Sequence, residues 1–266
     1  MILVNGVAGS IAADDRGLLY GDGLFETVLF VGGRAPLWPR HMARLNAGCA
    51  RLLLSPPDID LLARETAHAS AGHARAVVRI TLTRGAGPRG YAIPGMMQPT
   101  RVVAASPAPS VAPDWYHSGI RVRLCALRLS EQPVLAGIKH LNRLEQVLAC
   151  AEWNDARIAE GILCDGAGRV IGATAANLFA VIDGRLVTPA LERCGIAGVA
   201  RAEVLAQRPD CEVQDLTMAE LMQADEVFLS NSVRGIVPVT ALDDWRWPVG
   251  EVTRALQAHW RALGLE

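Results

Sequence analysis

The stretch Ala74 to Thr83 sets the strongest limit on the fold: Arg75, Val77, Arg79 and Thr81 alternate with Ala76, Val78, Ile80 and Leu82. A period of two puts one set on each face of a strand, so this segment needs an apolar layer on one side and accepts water on the other. The chain upstream supplies such a layer. Pro39 opens a predicted helix over His41 to Leu54, with Met42, Leu45, Cys49 and Leu52 or Leu53 on one stripe and Arg44 in the first turns, off that stripe. Asp58 to Ala69 reads as a second helix. Further strands are expected over Met1 to Asn5, closed by an Asn5-Gly6 turn, and over Arg101 to Ser106. Another leaves the glycine-dense run Tyr20 to Thr27, passes through Phe30, turns at Gly32-Gly33 and returns to Trp38. Strands and helices mixed in this way predict an α+β (mixed α/β) architecture.

Pro107, Pro109 and Pro113 lie close together, the proline density of a semi-rigid connector. Two domains are therefore expected: a small N-terminal α/β domain over 1–107, a linker over 108–118, and a larger C-terminal domain over 119–266. The second half offers strands at Ile120 to Leu127, Ile162 to Cys164, Asn177 to Ile182 and Arg185 to Val187, the last two joined at Asp183-Gly184. Helices are predicted from Asn142 to Asn154, from the Gly195 region to Gln207, and from Val249 to Leu263.

Among 26 cationic side chains Lys139 is the one lysine, in the run Gly137-Ile138-Lys139-His140-Leu141-Asn142-Arg143-Leu144. Arginine cannot lose its proton in a protein, whereas a lysine amine can be desolvated, deprotonated and made nucleophilic. Val134, Leu135, Ala136, Ile138 and Leu141 surround it in sequence and would disfavour the ammonium form. A neutral amine in an apolar pocket is what a Schiff base to a carbonyl requires. A solitary lysine on a helix surface is the other reading.

Composition excludes several alternatives. A net charge of −1 gives no field for nucleic acid or an anionic membrane. The six cysteines form no CxxC and no Cys/His pairing at metal-ligand spacing, so they read as small buried hydrophobes, no metal is expected, and a reducing cytoplasm fits. No charged, then apolar leader and no run of roughly 18 apolar residues occurs, so the expectation is a chain neither exported nor inserted.

Three segments of the second half could hold an anion. Gly195-Ile196-Ala197-Gly198-Val199-Ala200-Arg201 opens a helix, and helix N-termini present unsatisfied N–H donors. Leu229-Ser230-Asn231-Ser232 offers hydroxyls at a strand end, with a capping turn as the alternative. Gly172 to Thr174 is the third. In the first half, Arg84-Gly85-Ala86-Gly87-Pro88-Arg89-Gly90-Tyr91 is an anion-binding flap or a flexible turn.

These segments together resemble the fold-type-IV pyridoxal-phosphate enzymes over essentially the whole chain. The resemblance rests on Asp15-Arg16-Gly17 with Tyr20 to Thr27, Arg40-His41-Met42-Ala43-Arg44-Leu45, Arg84 to Gly87 with Arg89-Gly90-Tyr91, Gly137 to Gln146, Ala176-Asn177-Leu178-Phe179 and Gly198-Val199-Ala200-Arg201. It implies two domains with pyridoxal 5'-phosphate between them. Lys139 would be the catalytic residue and would bind the cofactor covalently. Arg44 would clamp the phosphate, with the Val199 and Ala200 amides and Ser232, while Asn231, Asn177 and Gly172 belong to the same cofactor set. Glu26, Arg89, Tyr91, Arg143 and Arg234 are the implied substrate contacts. Gly172 departs from the family, which commonly has a glutamate there against the pyridine nitrogen; Thr174 or a water would have to substitute. The implied activity is a lyase step that converts 4-amino-4-deoxychorismate to 4-aminobenzoate and pyruvate, toward folate. A fold-type-IV aminotransferase for branched-chain or D-amino acids is the alternative. A cytoplasmic homodimer is also implied, with the Arg84 to Tyr91 loop or one near it reaching the partner's site.

Overall fold

A computed structural model describes residues 1–95 and 97–265. The chain groups into two compact units: Met1–Pro109 together with Ile138–Asn142, and Ser110–Gly137 together with the residues from Arg143 onward.

The first unit contains β1 (Ile2–Val4), α1 (Arg16–Tyr20), β2 (Gly23–Val31), α2 (Trp38–Leu52), α3 (Ile59–Ser70), β3 (Arg75–Thr83) and β4 (Thr100–Pro107). Its sheet is antiparallel in the order β1-β4-β3-β2. The alternation along β3 has the expected result: Ala76, Val78, Ile80 and Leu82 are buried in one core with Met42, Leu45 and Cys49 of α2 and Leu62 and Ala69 of α3. Asp58 caps α3 by accepting from the Asp60 and Leu61 amides at 2.9 and 3.0 Å. The expected return strand to Trp38 does not form. After the Gly32-Gly33 turn a single bridge joins Val31 and Arg34, and Pro36, which has no N–H to donate, intervenes before α2 starts at Trp38.

Arg84 is not part of an anion-binding flap. It is 5% exposed, its Nε and Nη2 donate to Asp22 at 2.7 and 3.0 Å, and Nη1 and Nη2 donate to the Leu53 and Leu52 carbonyls at the end of α2, each at 2.7 Å. It thus satisfies carbonyls that a helix C-terminus leaves open. Arg16 donates to the same Asp22 at 2.9 Å and to the Gly90 carbonyl at 2.8 Å, which ties the following loop to α1. Burial alone would raise the Asp22 carboxyl, but hydrogen bonds and charge from Arg84 and Arg16 hold it below its ordinary value.

The second unit contains α4 (Asp114–His117), β5 (Ile120–Leu129), α5 (Leu144–Cys150), β6 (Ile158–Asp165), β7 (Val170–Ala173), β8 (Asn177–Ile182), β9 (Arg185–Pro189), α6 (Val199–Gln207), β10 (Glu212–Gln214), α7 (Met218–Met222), β11 (Glu226–Asn231), β12 (Gly235–Leu242), β13 (Trp245–Arg246) and α8 (Glu251–Ala262). Among the described residues its sheet runs β10-β9-β8-β11-β12-β5-β6-β7, with β13 on β12. Ile162, Leu178, Val227, Leu229 and Val239 lie in its main core.

Helix α5 is shorter than the predicted Asn142 to Asn154. Glu152 is drawn out of the helical path because its carboxylate accepts from the Ala126 and Leu127 amides, at 2.7 and 2.8 Å, where β5 loses register with β6. The segment read as the third possible anion site contains a strand instead: β7 pairs antiparallel with β6, with Gly172 opposite Leu163. Among the described residues no helix is long and apolar enough to cross a membrane.

Candidate functional site

Lys139 belongs to the first unit, not to the C-terminal portion where it was expected, and backbone pairing is the reason. The Phe25 amide donates to the Lys139 carbonyl at 3.0 Å, the Leu141 amide donates to the Gly23 carbonyl at 3.0 Å, and Leu24 bridges His140. Ile138 is buried in the same core as Leu24 and Leu45. The lysine is half-buried, with Nζ 4.3 Å from the centre of the Phe25 ring, and Arg79 lies 4.0 Å from that ring as well. The segment is not a surface helix. Of the apolar flank, Ala136 and Ile138 are buried, while Val134 faces solvent.

Glu26 was expected to contact substrate, and its placement rules against that. It is 1% exposed, and both its oxygens are taken. Arg44 Nε donates to Oε1 at 2.8 Å and Arg44 Nη2 donates to Oε2, which also faces His41 Nδ1 at 2.6 Å. Both partners come from the first turns of α2, three residues apart and therefore neighbours on its surface. Burial by itself would raise the Glu26 carboxyl, but the charge of Arg44 and the hydrogen bonds from His41 and Arg44 hold it below its ordinary value. His41 is pushed down, first by burial and then by the charges of Arg44 and Lys139, against the opposing pull of Glu26. A neutral His41 must carry its proton on Nδ1 to donate to Glu26. Arg44 is thus a guanidinium oriented by a buried carboxylate, with two of its five donors committed to Glu26.

In the second unit the start of α6 is built as a cradle. Gly198 caps the helix from an extended conformation with no side-chain capping bond, so the first amides, those of Val199 and Ala200 among them, lack intrahelical partners. Asn177, at the start of β8, holds this entry: its Nδ2 donates to the Ile196 carbonyl at 2.8 Å and its Oδ1 accepts from the Gly198 amide at 3.0 Å. A Cβ on residue 198 would stand 2.1 Å from that Oδ1, so only glycine fits. Asn177 therefore sets the geometry of the cradle, and the amides are what an anion would meet. A helix start of this kind suits a phosphate ester such as that of pyridoxal phosphate.

Asn231 plays a similar shaping part. Its Nδ2 donates to the Ala175 carbonyl at 2.5 Å, and its Oδ1 accepts from the Val233 and Arg234 amides at 2.8 and 3.1 Å, which folds the turn that carries Ser232. Thr174, suggested as a substitute for the missing glutamate, turns its hydroxyl onto Glu160 Oε2. Arg234 pairs with the other Glu160 oxygen at 3.1 Å. A Cβ on Gly172 would lie 3.0 Å from the Ala176 carbonyl, which already accepts from the Ala173 amide at 2.8 Å, so the strand is closed tightly at that position.

Arg89 and Tyr91 are exposed, the Tyr91 ring meeting Tyr20 edge-on at 5.4 Å. Arg143 is half-buried ahead of α5, and burial lowers its guanidinium from the ordinary value. Sequence reasoning missed the Glu26–His41 partnership, although His41 preceding Arg44 by one helical turn was a visible signal.

The chain belongs to the class IV amino-transferase family, whose sequence pattern matches residues 23–242. Its relatives divide between two chemistries. An aminodeoxychorismate lyase from Vibrio harveyi is 34% identical, with 97% of this chain and 99% of the relative covered. A putative branched-chain-amino-acid aminotransferase from Methanocaldococcus jannaschii is 32% identical, with 95% and 91% covered. Among solved structures, 4-amino-4-deoxychorismate lyase from Pseudomonas aeruginosa aligns with a TM-score of 0.94 at 48% identity, covering 98% of each chain. The Escherichia coli branched-chain amino acid aminotransferase, at 23% identity and a TM-score of 0.87 over 98% of this chain and 93% of its own, shares the fold.

Proposed function

We propose that the protein is a pyridoxal-phosphate-dependent carbon-oxygen lyase that converts 4-amino-4-deoxychorismate to 4-aminobenzoate and pyruvate. The observation that carries this reading is the 48% identity to the Pseudomonas aeruginosa lyase over 98% of both chains. Lys139, the one lysine of the sequence, is the residue that would join the cofactor. The Val199 and Ala200 amides, Ser232 and Arg44 would bind its phosphate, with Asn177, Asn231 and Glu26 fixing their positions. Pyridoxal phosphate, when bound, supplies an electron sink for a carbon that is losing its proton. Lys139 Nζ would take the proton from the ring carbon that bears the substrate nitrogen. The bond from the neighbouring carbon to the enolpyruvyl oxygen breaks, its electrons leave with that oxygen, and the ring becomes aromatic. Lys139 returns the proton to the departing enolpyruvate, so no water and no oxidant enter the balance. Arg89, Arg143 and Arg234 are the candidates for the two substrate carboxylates, and the existing pair with Glu160 places Arg234 last. We place the enzyme in the cytoplasm as a homodimer, on the family resemblance.

The aminotransferase alternative is supported by the Methanocaldococcus jannaschii relative. A glycine at 172 in place of the glutamate expected against the pyridine nitrogen favours the lyase, because transamination needs the cofactor to hold and reprotonate its charge, whereas aromatisation pulls the lyase reaction forward. Product analysis separates the two. Pyruvate and 4-aminobenzoate in equal amounts from 4-amino-4-deoxychorismate are expected. Brisk amino transfer to a keto acid with no pyruvate released would assign the chain to the aminotransferases.

A further inference from the structure

The Phe25 ring carries two cations. Arg79 Cζ lies 4.0 Å and Lys139 Nζ 4.3 Å from its centre, so the two charges are no further apart than those distances laid end to end. Arg79 stands on the face of β3 that the core does not use, registered opposite Thr27 of β2 and Ala104 of β4. The diagonal positions on that face are Phe25, Leu29, Val102 and Ser106, so no cross-strand neighbour offers it a carboxylate. Burial pushes the Arg79 guanidinium below its ordinary value, and no acid among the described residues opposes that. Its charge therefore acts on the lysine uncompensated. On the other elements packed against Lys139 in this unit the ionisable groups are balanced. Glu26 of β2 is bound by Arg44 of α2, and His41 of α2, pushed below 6.5, is uncharged at neutral pH. The ring of His140, next in the lysine's own segment, turns to Asn142 Nδ2 at 3.4 Å.

We infer that Arg79 is a positioning residue for the reaction, whose charge, held on the Phe25 ring, drives the Lys139 amine toward its neutral form. The inference rests on the reading that Lys139 is the reacting amine. A like charge this close disfavours the ammonium, and the neutral amine is the form that attacks a carbonyl and takes up a proton. The ring attracts either cation. Of the two, only the lysine can relieve the repulsion by losing its proton, so the guanidinium is the charge that stays.

The test uses full-length wild type, R79Q, which removes the charge, and R79K, which keeps the charge in a different shape. Each protein, freed of cofactor, is labelled with acetic anhydride across about pH 6 to 11, and peptide mapping reads residue 139 apart from every other amine. R79Q is expected to raise the titration midpoint of Lys139 by about half a pH unit to one pH unit, and R79K to keep the wild-type midpoint. Attachment of pyridoxal phosphate and of phosphate-free pyridoxal at about pH 7.5, followed by absorbance, should slow about threefold to tenfold in R79Q, as the neutral fraction falls by that factor. An equal effect on both aldehydes is expected because the phosphate takes no part. A midpoint unchanged in R79Q, or raised equally in R79K, would overturn the inference and leave Lys139 as the reacting amine. A wild type whose Lys139 takes up neither aldehyde would overturn that reading, and the inference with it.

Discussion

Arg44 and Glu26 form a two-point pair: Arg44 Nε lies 2.8 Å from Glu26 Oε1 and Nη2 bonds Oε2, with Glu26 sealed from solvent. The pair gives Arg44 a fixed plane and largely cancels its charge. Arg44→Ala is therefore expected to do two things. It should weaken cofactor retention by roughly ten- to a hundredfold, and it should lower folding stability by about 3 kcal/mol because Glu26 is left as a buried charge with His41 as its remaining ligand. Dialysis followed by absorbance reads the first effect and urea unfolding reads the second. A variant that retains cofactor and stability would show that Arg44 serves neither purpose.

Asn177→Asp keeps an acceptor for the Gly198 amide but loses the donor to Ile196 and sets a carboxylate beside the anion cradle. The expected loss of affinity for pyridoxal phosphate exceeds that of Asn177→Ala, while affinity for pyridoxal changes little. Repulsion between the new charge and the phosphate produces the difference. Paired titrations of both aldehydes against both variants check it.

Lys139→Arg keeps a cation over the Phe25 ring, so its unfolding temperature should stay close to wild type. Its guanidinium cannot give up a proton, and pyruvate release should fall by at least roughly 10²–10⁴-fold. Borohydride treatment of the wild type with cofactor, followed by peptide mapping, should place the label on Lys139. A label confined to the N-terminal amine would remove the residue from the chemistry.

Acid should unfold the protein in two stages. His41 is held below its ordinary 6.5, so beneath that pH the unfolded chain takes up a proton that the folded chain does not, and stability falls as pH drops. Glu26 and Asp22 are also depressed in the folded state. Their contribution is complete above the ordinary values of 4.5 and 3.8 and is lost as pH falls through the lowered ones. Urea unfolding followed from pH 7.5 down to about pH 2 measures both stages, and His41→Gln should remove the upper stage alone.

Much of the fold was legible because its signals are local. The alternation of β3, the Met42, Leu45 and Cys49 stripe of α2, the Asp58 cap of α3 and the Asp183-Gly184 turn each depend on neighbours a few residues away. Errors arose where distant groups decided. Pro36 and a single bridge ended the expected return strand, and Glu152 left α5 to satisfy amides of β5.

The candidate site divides in the same way. The sequence by itself determined its chemistry: one lysine in a chain of arginines, an Arg44 on a helix, and a glycine entry to α6, since residue type and local backbone freedom settle what each group is able to do. Only the tertiary structure decided which side chains hold others in place. Glu26 became a buried support for Arg44, Arg84 a clamp on the end of α2, Asn177 a brace for Gly198, and Lys139 a neighbour of β2. Those outcomes follow from pairings between residues far apart in sequence, whose hydrogen bonds exist only once the sheets have brought them together.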